Sequence, residues 1–241
     1  MHCIYCHNDS TNSKNKEHIF PANLGINETL PIGCVCDKCN NYFAEMDKTV
    51  LYNNYISLNV IADQIPARNG KPRESLGRFE HLKNGEFVIN YEATLLPGMD
   101  QVTFKMKQPK EFDEFVFIRG IHKIAFNCFA NQFGQKECMN SKFHKIAKYI
   151  KCPNTGKDLW PYAVKLVNTD KECNVEFLKQ INGIILVHLH IICFDFIISL
   201  TAGEWWYKYK RQLQDFTIIK EPGWWNESSL SGLKTKNHET I

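Results

Sequence analysis

The stretch TLPIGCVCDKCN, residues 29–40, contains three cysteines, of which only Cys36 and Cys39 hold the C-x-x-C spacing. A second pair of the same spacing, Cys3 and Cys6 in CIYC, opens the chain, with 29 residues between the two pairs. Each pair offers two thiolates across a tight turn, and a fold that brings the pairs together makes a tetrahedral four-thiolate site suited to zinc. Cys3, Cys6, Cys36 and Cys39 are therefore the expected ligands of a structural Zn²⁺. Cys34 falls outside the pattern and reads as a small buried apolar residue. A redox role is the alternative for either pair, but thioredoxin-like motifs sit in a βαβ context, and two pairs framing one short segment suit a metal better. That segment has few large apolar side chains and needs such a staple to hold its shape. The other cysteines, at positions 128, 138, 152, 173 and 193, are scattered and read as core residues or inert thiols.

The whole chain has 241 residues, 44% of them hydrophobic and 23% charged, a composition that excludes the disordered and collagen-like classes. Its length accommodates two units. The boundary is drawn after residue 58, with a zinc-framed module over 1–58 and a larger mixed α+β domain over 59–241. Cys3 and Cys6 begin the first motif so early, with polar residues following, that no secretory leader is expected. A cytoplasmic setting follows, in which thiols stay reduced or bind metal. The apolar run IILVHLHIICFDFIISL, residues 184–200, approaches the length of a membrane span, yet it contains His188, His190 and Asp195. VHLHI and FDFII alternate with period two, so adjacent strands are expected in place of a span.

Residues 65–110 alternate in polarity around Asn84-Gly85 and Pro97-Gly98 and read as hairpins. From Glu114 the period changes: Ile118, Ile121, Ile124, Ala125, Cys128 and Phe129 recur at helical steps, and SKFHKIAKYI continues as a second, shorter helix. VKLVN, GIILVHLHI, FDFIISL and FTIIK are the candidate strands of the last third, and SSLSGLKTKNHETI the fraying tail. Trp205-Trp206 and Trp224-Trp225 are read as core or interface residues in preference to base-stacking ones.

Between the cysteine pairs lies KEHIFPANLG, where Glu17 and His18 are neighbours on a short strand and so point to opposite faces. Asn40 follows the last frame cysteine, at the start of an expected helix, NNYFAEMDKTVLYNNYI. C-x-x-C, then Glu-His, then C-x-x-C-Asn resembles the HNH endonucleases of the ββα-metal class, in their zinc-framed, endonuclease VII-like subgroup. The resemblance covers about the first 55 residues. It implies a ββα-metal module at the head of an α+β protein and hydrolysis of phosphodiester bonds in DNA. In that family pattern His18 resembles the general base that activates water, a role suited to an imidazole with an ordinary pKa of about 6.5. Glu17 and Asn40 resemble the ligands of a catalytic Mg²⁺ or Mn²⁺. The sequence departs from the pattern at Pro31, where many members have the residue that orients the base; Asn23, Asn27 or a backbone carbonyl would have to replace it. Proteins of this kind serve restriction, anti-phage defence and mobile elements, and the resemblance implies DNA as partner; an ATPase or sensor protein of a defence system is the partner of the competing, non-cleaving reading.

The net charge of +3 says little about nucleic acid, and residues 1–58 are mildly acidic, with four Lys against six Asp and Glu. Between positions 119 and 151 seven Lys and Arg face one acid, Glu137. Arg119, Lys123, Lys142, Lys145 and Lys148 are accordingly expected to meet backbone phosphates, with a solvated helix face as the alternative. The competing reading of the whole chain is a zinc-stapled module that binds nucleic acid or protein without cleaving it.

Overall fold

The computed structural model describes residues 1–67, 69–71, 75, 76, 79–81, 87–89, 112–151, 159–167, 173–178, 180, 182–201 and 203–225. The fold is α+β. After an N-terminal segment of turns come α1 (Asp37–Tyr52), α2 (Asn54–Ala62), and a small antiparallel sheet of β1 (Ser75–Leu76), β2 (Phe79–His81) and β3 (Phe87–Ile89). Next are α3 (Glu114–Phe133), α4 (Gln135–Cys138) and α5 (His144–Lys151). Strands β4 (Tyr162–Leu166), β5 (Cys173–Phe177), β6 (Leu186–Ile191), β7 (Phe194–Ser199) and β8 (Thr217–Ile219) form a second antiparallel sheet in the order β5-β6-β7-β4-β8.

The N-terminal segment has no full strand. It is paired by two isolated bridges, His2 with Asp9 and His18 with Thr29, the second flanked by Ile19 N–H donating to Glu28 O (3.0 Å) and Leu30 N–H to Glu17 O (2.8 Å). The single helix expected over 40–56 is in fact two. It breaks at Asn53, whose side chain accepts from the N–H groups of Tyr55 and Ile56 and so caps α2. The boundary expected after residue 58 falls inside α2, and one hydrophobic core runs from Ile4, Phe43 and Val50 through α3 to Phe194, Phe196 and Trp225.

α3 is the centre of that core. Every residue from Phe117 to Ala130 is buried, so the helix has no solvent face along those turns. It packs on α1 on one side and on β6 on another. Gly120 sits where α3 meets α1: a Cβ there would stand 2.8 Å from Val50 Cγ2 and 3.4 Å from the Met46 carbonyl oxygen. The larger sheet turns Tyr162, Val164, Val187, Leu189, Phe194 and Phe196 toward the main core. Its other face carries Ala163, Leu186 and Ile197 under Trp205. That face also holds Asp195, paired with His190 Nδ1 (2.9 Å) and Lys165 Nζ (3.1 Å). The apolar run 184–200 is thus two paired strands, as its period-two pattern foretold, and among the described residues no helix is long and apolar enough to cross a membrane. β5 was not foreseen, although Cys173, Val175 and Phe177 alternate with Asn174 and Glu176 in the period-two pattern of a strand. Trp205 and Trp225 are buried and Trp206 and Trp224 half so, in keeping with a packing role. The Asn84-Gly85 and Pro97-Gly98 turns, Cys152 and the C-terminal tail lie outside the described residues.

Candidate functional site

The two cysteine pairs converge. The sulfurs of Cys3, Cys6, Cys36 and Cys39 all lie within 4.8 Å of one another, and those of Cys6 and Cys36 are 3.6 Å apart. Sulfurs at about 2.3 Å from a tetrahedral zinc stand about 3.8 Å from each other, so this cluster has the size and donor set to hold one. The turns that carry the pairs interlock through the backbone: Ile4 N–H donates to Cys34 O (3.0 Å) and His7 N–H closes on Cys3 O (2.9 Å). A hydrogen bond from Cys39 pushes the Cys3 thiol down to about 4 against the opposing effect of burial, with backbone groups of Cys36, Cys6 and Tyr5 helping. One ligand is thereby favoured as thiolate, the form a metal binds. Cys34 is buried beside the cluster, and burial pushes its thiol up to about 12, as suits an inert core residue.

The frame positions a polar cleft of about 590 Å³, whose walls include Glu17, His18, Asn23, Asn40, Asp47 and Lys48. The Glu17-His18 wall is fixed by the pairing with residues 28–30. The opposite wall is one stripe of α1, Asn40, Ala44, Asp47 and Lys48, at steps of four and three along the helix and then the adjoining residue. Glu17, His18 and Asn40 therefore border a single cleft although they come from segments 22 residues apart. Asn40 Nδ2 is buried with no hydrogen-bond partner among the described residues. A side-chain amide left unsatisfied in the wall of a polar cleft has bonding capacity to offer a ligand.

Glu17 is held from the other side by α3. Its Oε1 accepts from Lys123 Nζ at 2.7 Å and from Asn127 Nδ2 at 3.4 Å. Asn127 Nδ2 also donates to the His18 carbonyl (3.0 Å), while Asn127 Oδ1 accepts from Tyr5 Oη at 2.7 Å. One buried amide thus ties the first cysteine turn to the strand bearing Glu17 and His18. Lys123 Nζ lies 2.7 Å from Asp47 Oδ1 as well, so a fully buried ammonium bridges two carboxylates of the cleft wall. Burial raises the Glu17 pKa and Lys123 opposes that rise; burial works against the Lys123 ammonium, but Asp47 and Glu17 more than offset it and hold its pKa above the ordinary value. With both carboxylates ionised the triad carries a formal charge of −1.

Lys123 is consequently no part of a surface basic face, contrary to the expectation from sequence. Arg119 is buried too, its Nε donating to Phe115 O at 3.1 Å. Both sit on turns of α3 that have neighbours all round, where a charged side chain turns inward and needs a partner. Lys142, Lys145 and Lys148 are exposed, and Lys142 is already paired with Glu137 at 2.7 Å. Asp47 and Asn127 were not singled out from the sequence. Asp47 shares a helix stripe with Asn40, seven residues on, which is a signal that could have found it. Asn127 stands four residues after Lys123, and Lys123 four after Arg119, so polar groups recur along one line of a largely apolar helix.

Comparison with known proteins returns no match: no family, no curated protein and no solved structure corresponds to this chain.

Proposed function

We propose that the chain is a metal-dependent endonuclease of the HNH type, hydrolysing phosphodiester bonds in DNA. The observation that carries this reading is the arrangement of Glu17, His18 and Asn40 around one cleft beside a four-cysteine cluster. His18 takes the proton from a water molecule as its oxygen attacks phosphorus, and the bond from phosphorus to the 3′ oxygen breaks. Asn127 and the pairing with Thr29 fix the backbone of His18 and so the origin of its side chain. Glu17 and Asn40 offer hard oxygen donors, and both bonds made to Glu17 by protein fall on Oε1. That donor set, with the residual negative charge of the wall, fits a divalent cation such as Mg²⁺ or Mn²⁺ completed by water and phosphate oxygens. When bound, such an ion stabilises the charge that develops on the phosphate and the leaving oxygen.

The test is cleavage of plasmid DNA by zinc-loaded protein with Mg²⁺ or Mn²⁺. His18→Ala is expected to lower the rate by about 10² to 10⁴, the usual worth of a general base. Cleavage by that variant at the wild-type rate removes His18 from the chemistry, and no cleavage with any divalent ion removes the reaction.

A second reading rests on Lys123. Its ammonium already engages Oε1 of Glu17 and Oδ1 of Asp47, an arrangement that also suits a zinc-stapled module which binds nucleic acid without cutting it. That version binds DNA equally well with and without divalent ions and leaves it intact.

A further inference from the structure

A second cavity, of about 360 Å³, opens between the first cysteine turn and α5 and shares no residue with the cleft described above. It is lined by Tyr5, Cys6, His7, His144, Lys148 and Lys151. Three of these are successive members of one helix stripe: positions 144, 148 and 151 are spaced by four and three, while Ile146, Ala147, Tyr149 and Ile150 form the buried side of α5. The fourth nitrogen-bearing group comes from the cysteine turn. His7 adopts a left-handed backbone conformation (φ 59°), and its ring faces that of His144 at a centroid distance of 4.6 Å.

Among the described residues no carboxylate lines this cavity. Among the described residues neither Lys148 nor Lys151 has an acidic partner, whereas Lys142 is closed off by Glu137. Two ammonium groups and two imidazoles around a space of this size present N–H donors to a tetrahedral oxyanion from two sides. Lysines converging without counter-ions repel one another unless an anion is bound between them.

We propose that this cavity is a phosphate-binding subsite that seats one or two backbone phosphates of a DNA duplex, with Lys148, Lys151, His7 and His144 as its donors. The inference rests on the reading of the chain as a DNA-handling protein, and it narrows the expected basic face to one defined pocket. The rival explanation is internal: zinc with four thiolates carries a net charge of about −2, which nearby lysines would offset.

Zinc-loaded full-length protein and its Lys148→Gln/Lys151→Gln double variant separate these. Binding of a labelled duplex is followed by fluorescence anisotropy over a range of salt concentrations, without divalent ions so that no cutting intervenes. Loss of two phosphate contacts is expected to make the plot of log affinity against log salt shallower by about 1.8. Inorganic phosphate is expected to shift the His7 and His144 ring resonances in the wild type and not in the double variant. An unchanged salt slope overturns the proposal, and faster zinc loss to a chelator with that unchanged slope assigns the lysines to the thiolates. Ring shifts with inorganic phosphate but duplex binding indifferent to the lysines would also overturn it, in favour of a small phosphate-bearing ligand. Failure to cleave DNA, with the salt slope behaving as expected, counts against the nuclease reading alone.

Discussion

Residues 1–36 contain no helix longer than the three-residue turn Ala22–Leu24 and no pairing longer than an isolated bridge, whereas the five strands between Tyr162 and Ile219 form an unbroken sheet. The first region is held in place by four sulfurs, a few backbone bonds and the contacts of Tyr5 and Ile4. The second is held by aromatic and branched side chains such as Phe194, Phe196 and Trp225, whose rings meet at 5.2 to 6.4 Å. The contrast separates two ways of fixing a backbone. A cysteine cluster that could hold a metal specifies a few atoms tightly and leaves the intervening chain free to carry polar groups, which is where Glu17 and His18 are found, with Asn40 just beyond the last cysteine. A sheet specifies many residues loosely, each by its neighbours, and here it supplies the mass against which α3 is pressed.

The largest expected effect comes from removing the staple. Stripping metal with a strong chelator, or making Cys36→Ser, is expected to withdraw on the order of 10 kcal/mol from the N-terminal region, because binding energy at such sites is folding energy. Limited proteolysis should then cut within residues 1–36 while the segment containing β6 and β7 stays protected. Equal loss of protection in both regions would show that they unfold as one unit and erase the contrast.

The next test addresses the joint between the regions. Lys123→Met leaves Glu17 and Asp47 without their buried counter-ion and is expected to destabilise the protein by about 3–5 kcal/mol in denaturant titration. Adding Glu17→Gln should recover part of that loss, since the two side chains act as a pair. Strict additivity would mean that the ammonium and carboxylate do not interact in solution.

A smaller effect sharpens the comparison on the sheet side. Burial pushes the His122 imidazole down to about 4, with only the Ile118 carbonyl working against that shift. The unfolded chain takes up a proton near the ordinary value of about 6.5 and the folded protein does not, so stability is full above that pH and falls toward pH 4, by about 3 kcal/mol at most. The His122→Phe variant should flatten the decline measured by thermal melts between pH 7 and 4. A decline of unchanged steepness would place its origin in other groups.

What the sequence disclosed, and what it withheld, follows the same division. Ligand spacing is a local property, so Cys3, Cys6, Cys36 and Cys39 were legible one by one, and the cluster they form could be foreseen. Period-two alternation is local too, which is why the strands over 184–200 were recognised inside a run as apolar as a membrane segment. The facing of α3 was not legible. In a helix buried on every side, polar groups four residues apart such as Lys123 and Asn127 look the same in sequence whether they reach solvent or a buried carboxylate. Lys123 was therefore assigned to the wrong environment and Asn127 passed unnoticed. The break at Asn53 escaped for a related reason: asparagine caps a helix and also tolerates its interior, and only the packing of α2 decides between them.

Gly120 gives this assembly a further property. It stands three residues before Lys123 on the turn that touches Val50 and Met46. With hydrogen as its side chain it sets the gauge between two rods, and that gauge determines whether a lysine arm is long enough to reach across. A single added methyl at position 120 would push the rods apart and draw the nitrogen back from both of its oxygens. The alignment of the wall formed by Glu17 and Asp47 is thus policed by a residue that has no chemistry of its own.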